Sequence, residues 1–235
     1  LRLTDHSYRT VHHIPKVLYH WRSSPISTSI NPTAKPEAEE NARKALESAL
    51  TRRGIEGEAR YGNRPHYFHV QRRISDEKVS ILIPFKDKPA LLRRCLDSIL
   101  KRSTFSNYEI VAISNNSTLE QTFDLITKYA ENERRLTLIE HNYPFNFPEL
   151  INRGVECASG TQIVILNNDI EIISPVWLEA LLQHSQRAKV GVVGGKLLYP
   201  DNTVQHAGII VGIGGYAGHA HKYFPVENNG YFNRI

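Results

Sequence analysis

Four short polar segments follow apolar segments in the last two-thirds of the chain, and they concentrate amide and carboxylate groups that can bind a ligand. They are PFKDK (84–88), SNNS (114–117), HNYPFNF (141–147) and NNDIE (167–171). Asn and Asp are also common in ordinary turns, because their side chains bond to nearby backbone groups. One such segment alone therefore does not distinguish a binding site from a turn.

The elements between these segments alternate between two patterns. The strands are predicted at VSILIPF, YEIVAIS, LTLIEH and TQIVILN, and the helices at ALLRRCLDSILKR, LEQTFDLITKYAEN and FPELINRGVECASG. Continuous apolar strands that alternate with helices are typical of a parallel α/β sheet with helices on both faces. Ligands bind outside the carboxyl ends of the strands of such a sheet. We therefore predict that the four polar segments gather along one edge, and that IVIL (163–166) is a buried central strand leading into the site.

The composition describes a globular protein of 235 residues, 40% hydrophobic and 23% charged. No apolar run reaches the roughly 18 residues of a membrane span, and the N-terminus does not resemble a signal peptide. These features predict a cytoplasmic protein. Cys95 and Cys157 lie in apolar helical patterns, which predicts reduced, buried thiols and no disulfide or metal pair.

The net charge of +5 lies entirely in the first third of the chain. Residues 1–78 carry 14 Lys and Arg against 9 Asp and Glu, whereas residues 79–235 carry 15 of each. A nucleic-acid-binding domain concentrates its basic residues on the folded domain, so this distribution argues against a nucleic-acid partner. A solvated linker is the favoured interpretation of the basic segment, and peripheral contact with an anionic membrane or a lipid-linked substrate stays open.

The chain is predicted to contain three parts. Residues 1–22 form a short tail, residues 23–78 a linker with one helix that starts at Pro36, and residues 79–235 the α/β domain. The chain contains no Met, so we expect it to be a fragment of a longer protein.

Two glycine patterns and one histidine pair resemble the sequence motifs of nucleotide-binding and zinc-binding sites. GIGGYA (212–217) fits a dinucleotide fingerprint but is not followed by a helical pattern, and VGVVGGKLL (190–198) lacks the spacing and the hydroxyl of a phosphate loop. His219 and His221 have the spacing to share one side of a strand, but no Cys or further ligand accompanies them. We expect neither a phosphate loop nor a zinc site here.

Taken together, residues 79 to about 223 resemble the family 2 glycosyltransferases of the GT-A fold, and among them the bacterial rhamnosyltransferase-like and O-antigen or cell-wall polysaccharide enzymes. VSILIPF resembles the first strand of the family, YEIVAISNNS its second strand and nucleotide loop, and FNFPELINRGVECASG the helix before its metal motif. LNNDIE stands where the family has its Asp-x-Asp motif, and VGVVGGKLLYPDNTVQHAGIIVG resembles the segment that follows.

The resemblance implies a metal-assisted transfer from a nucleotide-sugar donor. Asp169 aligns with the final carboxylate of the metal motif and is the expected ligand of Mg²⁺ or Mn²⁺. Asn167 departs from the Asp of the family and is expected to contact ribose or a metal-bound water. Asn168 and Glu171 are expected to support the metal site.

The resemblance also assigns donor-binding residues. The base and ribose are expected to contact Pro84, Phe85, Asp87, Asn115 and Asn116. The second loop departs from the family, because Ser and Asn stand where many relatives have two Asp, and this leaves the nucleotide and sugar undetermined.

For the diphosphate, the resemblance leaves three residues to choose among. Asn146 lies near a basic position of some relatives, and Arg153 is an alternative, with a surface role nearly as well supported. The same ambiguity applies to Lys86.

The predicted enzyme transfers a sugar to a saccharide or lipid-linked acceptor, with inversion, in cell-surface polysaccharide biosynthesis, in the cytoplasm and at the inner face of the membrane. In the family the general base lies in the acceptor half, which we expect beyond Ile235, so no catalytic residue is assigned. The N-terminal tail resembles the end of another such domain, which predicts a tandem parent protein. Two alternatives stay open: a non-catalytic nucleotide- or glycan-binding module, and a nucleotidyltransferase.

Overall fold

The computed structural model describes residues 12–20, 22, 24, 27, 30 and 35–230. The chain divides into two compact units, one up to Ile74 and one from Ser75 onward. The predicted tail, 1–22, lies largely outside the described residues, and residues 12–20 contain no helix or strand. The last residues of the chain, 231–235, also lie outside the described part.

The first unit combines a helix with a β-hairpin. Helix α1 (Pro36–Arg52) begins at the predicted proline, and strands β1 (Gly57–Tyr61) and β2 (Phe68–Arg72) pair antiparallel. The Glu47 carboxylate accepts a hydrogen bond of 2.6 Å from the Ala59 backbone N–H, which joins the helix to the hairpin. The sequence predicted only the helix here, because strands with a single fully buried residue leave little hydrophobic alternation to detect.

The second unit contains all seven predicted elements of the α/β domain. The strands are β3 (Val79–Phe85), β4 (Tyr108–Ser114), β5 (Leu136–Glu140) and β6 (Gln162–Ile165), and the helices are α2 (Pro89–Arg102), α3 (Glu120–Asn132) and α4 (Phe147–Cys157). Beyond them follow α5 (Trp177–Ser185), β7 (Leu197–Leu198), β8 (Val204–His206), β9 (Ile209–Val211), a 3₁₀ turn (Ile213–Gly215) and β10 (Ala217–His219).

The four main strands form one parallel sheet in the order β5-β4-β3-β6. Strands β4 and β5 are added in turn on one side of β3, and β6 then pairs with the other side of β3. Because such crossovers are right-handed, α2 and α3 cover one face and α4 covers the other. The predicted parallel α/β class with flanking helices is therefore confirmed.

Helix α4 packs closely against the sheet. Its Leu150 and Ile151 join Leu82, Val111 and Ile113 in one buried cluster.

The contact is close because position 154 of α4 is a glycine. A Cβ atom on Gly154 would lie 2.6 Å from Cδ1 of Ile113 and 3.2 Å from Cδ1 of Leu82. A methyl group there would fit only if the ends of the Ile113 and Leu82 side chains moved aside.

The amino edge of the sheet is held by a hydrogen-bond cluster around Glu109. Its carboxylate accepts bonds from Lys78 Nζ (2.7 Å), Ser80 Oγ (2.6 Å), and the backbone N–H (2.6 Å) and Oγ (2.8 Å) of Ser159. Burial alone would raise the pKa of Glu109, but these hydrogen bonds outweigh it and lower the pKa to about 2. The cluster ties β3, β4 and the segment after α4 together.

Two sequence expectations are corrected. Strand β6 lies at an edge of the four-stranded sheet and is half-exposed, with Ile163 39% and Ile165 52% exposed, because only β3 pairs with it among the described strands. Cys95 is buried as predicted, but Cys157 is exposed. It is the last residue of α4 and lies past the buried positions of that helix.

Candidate functional site: the carboxyl edge of the sheet

The parallel pairing brings the four polar segments to the same edge of the sheet. The strand order also defines a switch point, because the chain leaves β3 in one direction along the sheet and returns to β6 on its other side. Ligands of doubly wound sheets bind at the carboxyl ends of the strands that flank this point. The first and fourth segments, which follow β3 and β6, therefore flank the expected ligand position.

The first segment is tied to the second by Asp87. Pro84 and Phe85 end β3, and the Phe85 carbonyl accepts a 2.9 Å hydrogen bond from the Asn115 backbone N–H. The Asp87 carboxylate accepts bonds of 2.9 Å from the backbone N–H groups of Thr118 and Leu119. These bonds, that from Leu119 first, lower the pKa of Asp87. In this conformation the Asp87 carboxylate binds the backbone of the two residues that precede α3.

The second segment is in turn tied to the third by two asparagines. Asn115 is 4% exposed, and its side-chain amide donates to the carbonyls of His141 (2.8 Å) and Tyr143 (3.0 Å). The Asn116 amide donates to the same Tyr143 carbonyl at 2.5 Å, from a left-handed backbone with φ 54°. Both amide groups therefore hold the loop after β5 in place.

The third segment leads into α4, and the segment and the helix each carry one of the three residues considered for the diphosphate. Asn146 is the N-cap, and its Oδ1 accepts a 3.3 Å bond from the Glu149 backbone N–H. Arg153 is exposed and forms a 2.8 Å ion pair with Glu156. An open groove runs along this flank of the helix, lined by His141, Asn146, Pro148, Glu149, Asn152, Arg153 and Glu156.

Three polar side chains of the fourth segment have no hydrogen bond or ion pair with another described residue. Asn167 and Asp169 are exposed, Asn168 is half-buried, and none of the three side chains has a hydrogen bond or ion pair with another described residue. The Leu166 N–H donates to the Leu82 carbonyl at 3.0 Å, which anchors the segment beside β3. Asp169 is thus an uncommitted carboxylate beside the switch point.

Helix α2 contacts the fourth segment through Cys95 and two arginines. Sγ of Cys95 lies 3.7 Å from the Asn167 carbonyl, and burial, with a smaller contribution from the Asp169 charge, raises the pKa of this thiol to about 12. Glu171 pairs with Arg102 at 3.1 Å and lies 3.9 Å from Arg94. Glu171 is therefore bound to α2, whereas the sequence analysis expected it to support the metal site.

The protein groups at this edge suit a cation whose ligands are mostly water molecules and phosphate oxygens. Within residues 12–230, as far as these are described, no group of three or more His, Cys, Asp or Glu side chains is arranged to hold a metal. A site with one protein carboxylate, phosphate oxygens and waters is usual for Mg²⁺, and the exposed Asp169 fits that arrangement.

The glycine and histidine patterns set aside in the sequence analysis lie in the segment after α5. GIGGYA includes the 3₁₀ turn between β9 and β10, and no helix follows it in the described part of the chain. His219 faces His206, with their Nδ1 atoms 2.9 Å apart, and so pairs with a residue other than His221. Sequence reasoning missed the groove on α4, although the spacing of Glu149, Asn152 and Glu156 marks one polar flank of a helix.

Comparison with known proteins identifies the family. Residues 80–218 match the sequence profile described as glycosyl transferase family 2, which is more than half of the chain. The chain therefore belongs to glycosyl transferase family 2. No helix among the described residues is long and apolar enough to cross a membrane.

Two curated relatives match nearly the whole chain. The chain is 38% identical over 229 residues to the uncharacterized protein y4gI of Sinorhizobium fredii, covering 97% of this chain and 25% of that protein. It is 38% identical over 226 residues to the O-antigen biosynthesis protein RfbC of Myxococcus xanthus, covering 96% of this chain and 17% of that protein. The chain thus spans a quarter or less of the length of these relatives.

A solved structure also resembles the chain. It is the mannosyltransferase PcManGT of Pyrobaculum calidifontis in complex with GDP-Man and Mn²⁺, with 20% sequence identity and a TM-score of 0.48. The similarity covers 70% of this chain and 46% of that chain.

Proposed function

We propose that the carboxyl edge of the sheet binds a nucleotide-sugar donor, and that the protein transfers the sugar to a saccharide or lipid-linked acceptor in cell-surface polysaccharide biosynthesis. The observation that carries this proposal is Asp169, an exposed carboxylate without a partner among the described residues, at the switch point of a family 2 glycosyltransferase domain. The similarity to an O-antigen biosynthesis protein supports the polysaccharide context.

A divalent cation, Mg²⁺ or Mn²⁺, is held by Asp169 in this proposal, with Asn167 and Asn168 beside it. When bound, such a cation stabilises the negative charge that develops on the departing diphosphate. Asn167 has a free side-chain amide to donate to ribose or to a metal-bound water. Glu171 is not included, because its ion pairs with α2 already compensate its charge.

The nucleoside is proposed to bind against the first and second segments. Phe85 and Pro84 provide the end of β3, and Asp87, Asn115 and Asn116 position the loops. The side-chain NH₂ group of Asn115 donates to the carbonyls of His141 and Tyr143, so it is not available to donate to the base. Asn115 therefore shapes the pocket. Asn146 and Arg153, the candidates for the diphosphate, are both less favoured, because Asn146 accepts the Glu149 N–H as the cap of α4 and Arg153 has an ion pair with Glu156.

The acceptor reaction is proposed to proceed with inversion on the cytoplasmic side, at the inner face of the membrane when the acceptor is lipid-linked. Inverting transfer requires a general base to deprotonate the acceptor hydroxyl. No carboxylate or histidine of this chain is assigned that role. General-base assistance is typically worth about 10²- to 10⁴-fold in rate.

Calorimetry with UDP, GDP and dTDP tests the proposal. We expect one of them to bind this chain in Mg²⁺ or Mn²⁺ and to lose most of its affinity in EDTA. Transfer to saccharide and lipid-linked acceptors is then measured with this chain and with the full-length protein. If no nucleoside diphosphate binds in either metal, the proposed donor site is wrong. Efficient transfer by residues 1–235 alone would show that the base lies within the chain.

A non-catalytic binding module is the second candidate. The observation that favours it is that the Asp87 carboxylate and the Asn115 side-chain amide already form hydrogen bonds within the protein. Metal-independent binding of a glycan, without binding of any nucleoside diphosphate, would support this candidate over the transferase.

A further inference from the structure

The groove on the flank of α4 contains polar groups that donor binding does not use. It runs from the end of β5 along α4 as far as Glu156, and His141 forms its inner wall. Glu149, Asn152 and Glu156 are exposed along its outer side. The groove therefore combines a buried imidazole with amide and carboxylate groups.

His141 is the unusual member of this set. It is 7% exposed, and its Nε2 has no hydrogen-bond partner among the described residues. The nearest carboxylate oxygen, Oε1 of Glu149, lies 3.5 Å away and makes an ion pair only if the ring is protonated. A buried polar atom without a partner destabilises a fold, so such an atom facing a groove points to a group that arrives with a ligand. The Glu149 side chain is 53% exposed and can rotate to admit that group.

The charges of the groove disfavour an anion. Arg153 is neutralised by its ion pair with Glu156, and Glu149 adds a further carboxylate. The helix terminus, which commonly binds phosphate, is partly satisfied by Asn146, because its Oδ1 accepts the Glu149 N–H. Asn152 adds a neutral amide. Such a mixture of donors and acceptors suits hydroxyl groups, which both donate and accept.

Exposed aromatic rings stand next to these polar groups. The ring of Tyr143 packs on the His141 ring with centroids 4.8 Å apart, and the Tyr143 side chain is 62% exposed. Phe145, in the same loop, is 74% exposed. A pyranose ring has hydroxyl groups at its rim and an apolar face of C–H bonds. The groove and its aromatic neighbours match those two properties.

We propose that this groove is a subsite for a neutral pyranose unit of the acceptor glycan. His141, Glu149 and Asn152 bind its hydroxyl groups and Tyr143 packs on its ring. The inference rests on the proposed function for the identity of the glycan as acceptor, but binding of the sugar itself does not depend on the donor site.

The position of the groove separates it from the reacting centre. His141 follows β5 and Asp169 follows β6, at opposite edges of the sheet. Three strand spacings lie between them, or about 14 Å. A sugar in the groove is therefore not the one that receives the new bond. It holds another unit of the same glycan and raises the effective concentration of the acceptor at the donor site.

The test is a nuclear magnetic resonance titration of this chain with the methyl α-glycosides of mannose, glucose and rhamnose. At least one is expected to shift the His141 ring nitrogens and the Asn152 side-chain amide. Glu149→Gln and Asn152→Ala are each expected to weaken that binding at least about fivefold, the loss of one hydrogen bond to a ligand. Glu131→Gln, at an exposed position of α3, is the matched control and leaves binding unchanged.

Three results would overturn the inference: no glycoside shifts these resonances, neither variant weakens binding, or inorganic phosphate binds the groove more tightly than any glycoside. A nucleoside diphosphate titration of the same samples, with and without Asp169→Asn, separates the two proposals. Sugar binding without nucleotide binding contradicts the donor site alone, and nucleotide binding without sugar binding contradicts the groove alone.

Discussion

The two edges of the parallel sheet use polar residues in opposite ways. At the amino edge, the Glu109 carboxylate accepts four hydrogen bonds, from Lys78, Ser80 and Ser159. At the carboxyl edge, the side chains of Asn167 and Asp169 have no partner among the described residues. Both edges are built by the same strands, so the difference does not come from the fold.

This difference separates residues that hold the protein together from residues that remain available to a ligand. The carboxyl edge itself contains both kinds. Asp87 and Asn115 tie neighbouring loops together, whereas Asp169 is free. Residue type at the ligand edge is therefore a weaker guide to binding than the absence of a partner. The following predictions test the contrast between the edges, starting with the largest effect.

Asp169→Asn should remove metal-dependent nucleotide binding and leave the fold intact, because Asp169 is exposed and unpaired. We expect an affinity at least about 100-fold lower in Mg²⁺ or Mn²⁺, since loss of even indirect support for a metal costs 10- to 100-fold. Calorimetry measures the affinity and urea denaturation the stability. Asp124→Asn, at an exposed position of α3, is the control. A variant that keeps its metal dependence would show that Asp169 is not the ligand.

Glu109→Gln should have the reverse effect at the other edge. We expect the free energy of unfolding to fall by about 2 kcal/mol, because the amide is uncharged and has one acceptor oxygen where the carboxylate has two. Nucleotide affinity per folded molecule should not change. Urea denaturation compares this variant with Glu131→Gln, for which we expect a change within about 0.5 kcal/mol. Equal stability of the two variants would mean that the cluster is not structural.

The contribution of Glu109 to stability should also depend on pH. Its folded-state pKa of about 2 lies below the ordinary value of 4.5, so the folded state favours the charged carboxylate. The stability difference between the native chain and Glu109→Gln should be complete above about pH 4.5 and disappear as the pH falls toward 2. Denaturation at several pH values measures it. A difference that grows on acidification would contradict the assignment.

Asn167→Ala should weaken donor binding less than the loss of Asp169. One lost hydrogen bond from an amide corresponds to about a 3- to 10-fold lower affinity, with the metal dependence kept. Calorimetry in Mg²⁺ and in EDTA separates the two effects. Unchanged affinity would return Asn167 to the role of a turn residue.

The two cysteines should differ in reactivity without any effect on binding. Cys157 is exposed, whereas Cys95 is buried and has a thiol pKa raised to about 12, so little reactive thiolate forms there. We expect one equivalent of a thiol reagent to react rapidly in the native protein and a second only in denaturant. Cys157→Ser should abolish the rapid reaction. Two rapid equivalents would place Cys95 at the surface.

The sequence predicted the class of fold because strands such as Val79–Phe85 are apolar on both faces and alternate with helical patterns. It misplaced β6 because the side-chain pattern shows which faces are buried and not how many strands are neighbours. IVIL is as apolar as a central strand, yet β3 is its single partner among the described strands. The hairpin of β1 and β2 escaped detection because it buries little beyond Ala59.

At the site, the sequence pointed to the four segments but not to the state of each side chain. Asn115 and Asn167 are the same residue type and follow apolar strands on either side of β3. Only the tertiary structure gives the Asn115 side chain two carbonyl partners and leaves that of Asn167 with none among the described residues. The unsatisfied nitrogen of His141 likewise depends on which groups surround it after folding. Hydrogen-bond satisfaction is a property of three-dimensional neighbours, and sequence spacing does not contain it.

Gly154 links the two proposed binding surfaces mechanically. Helix α4 rests directly on Ile113 and Leu82 at this residue, and the same rigid helix carries Asn146 at its start and the sugar groove on its flank. A methyl group at position 154 would press on the ends of the Ile113 and Leu82 side chains, which would have to change rotamer or yield. A change in the packing under α4 would therefore reach both Asn146 and Asn152, because one helix and its cap carry them.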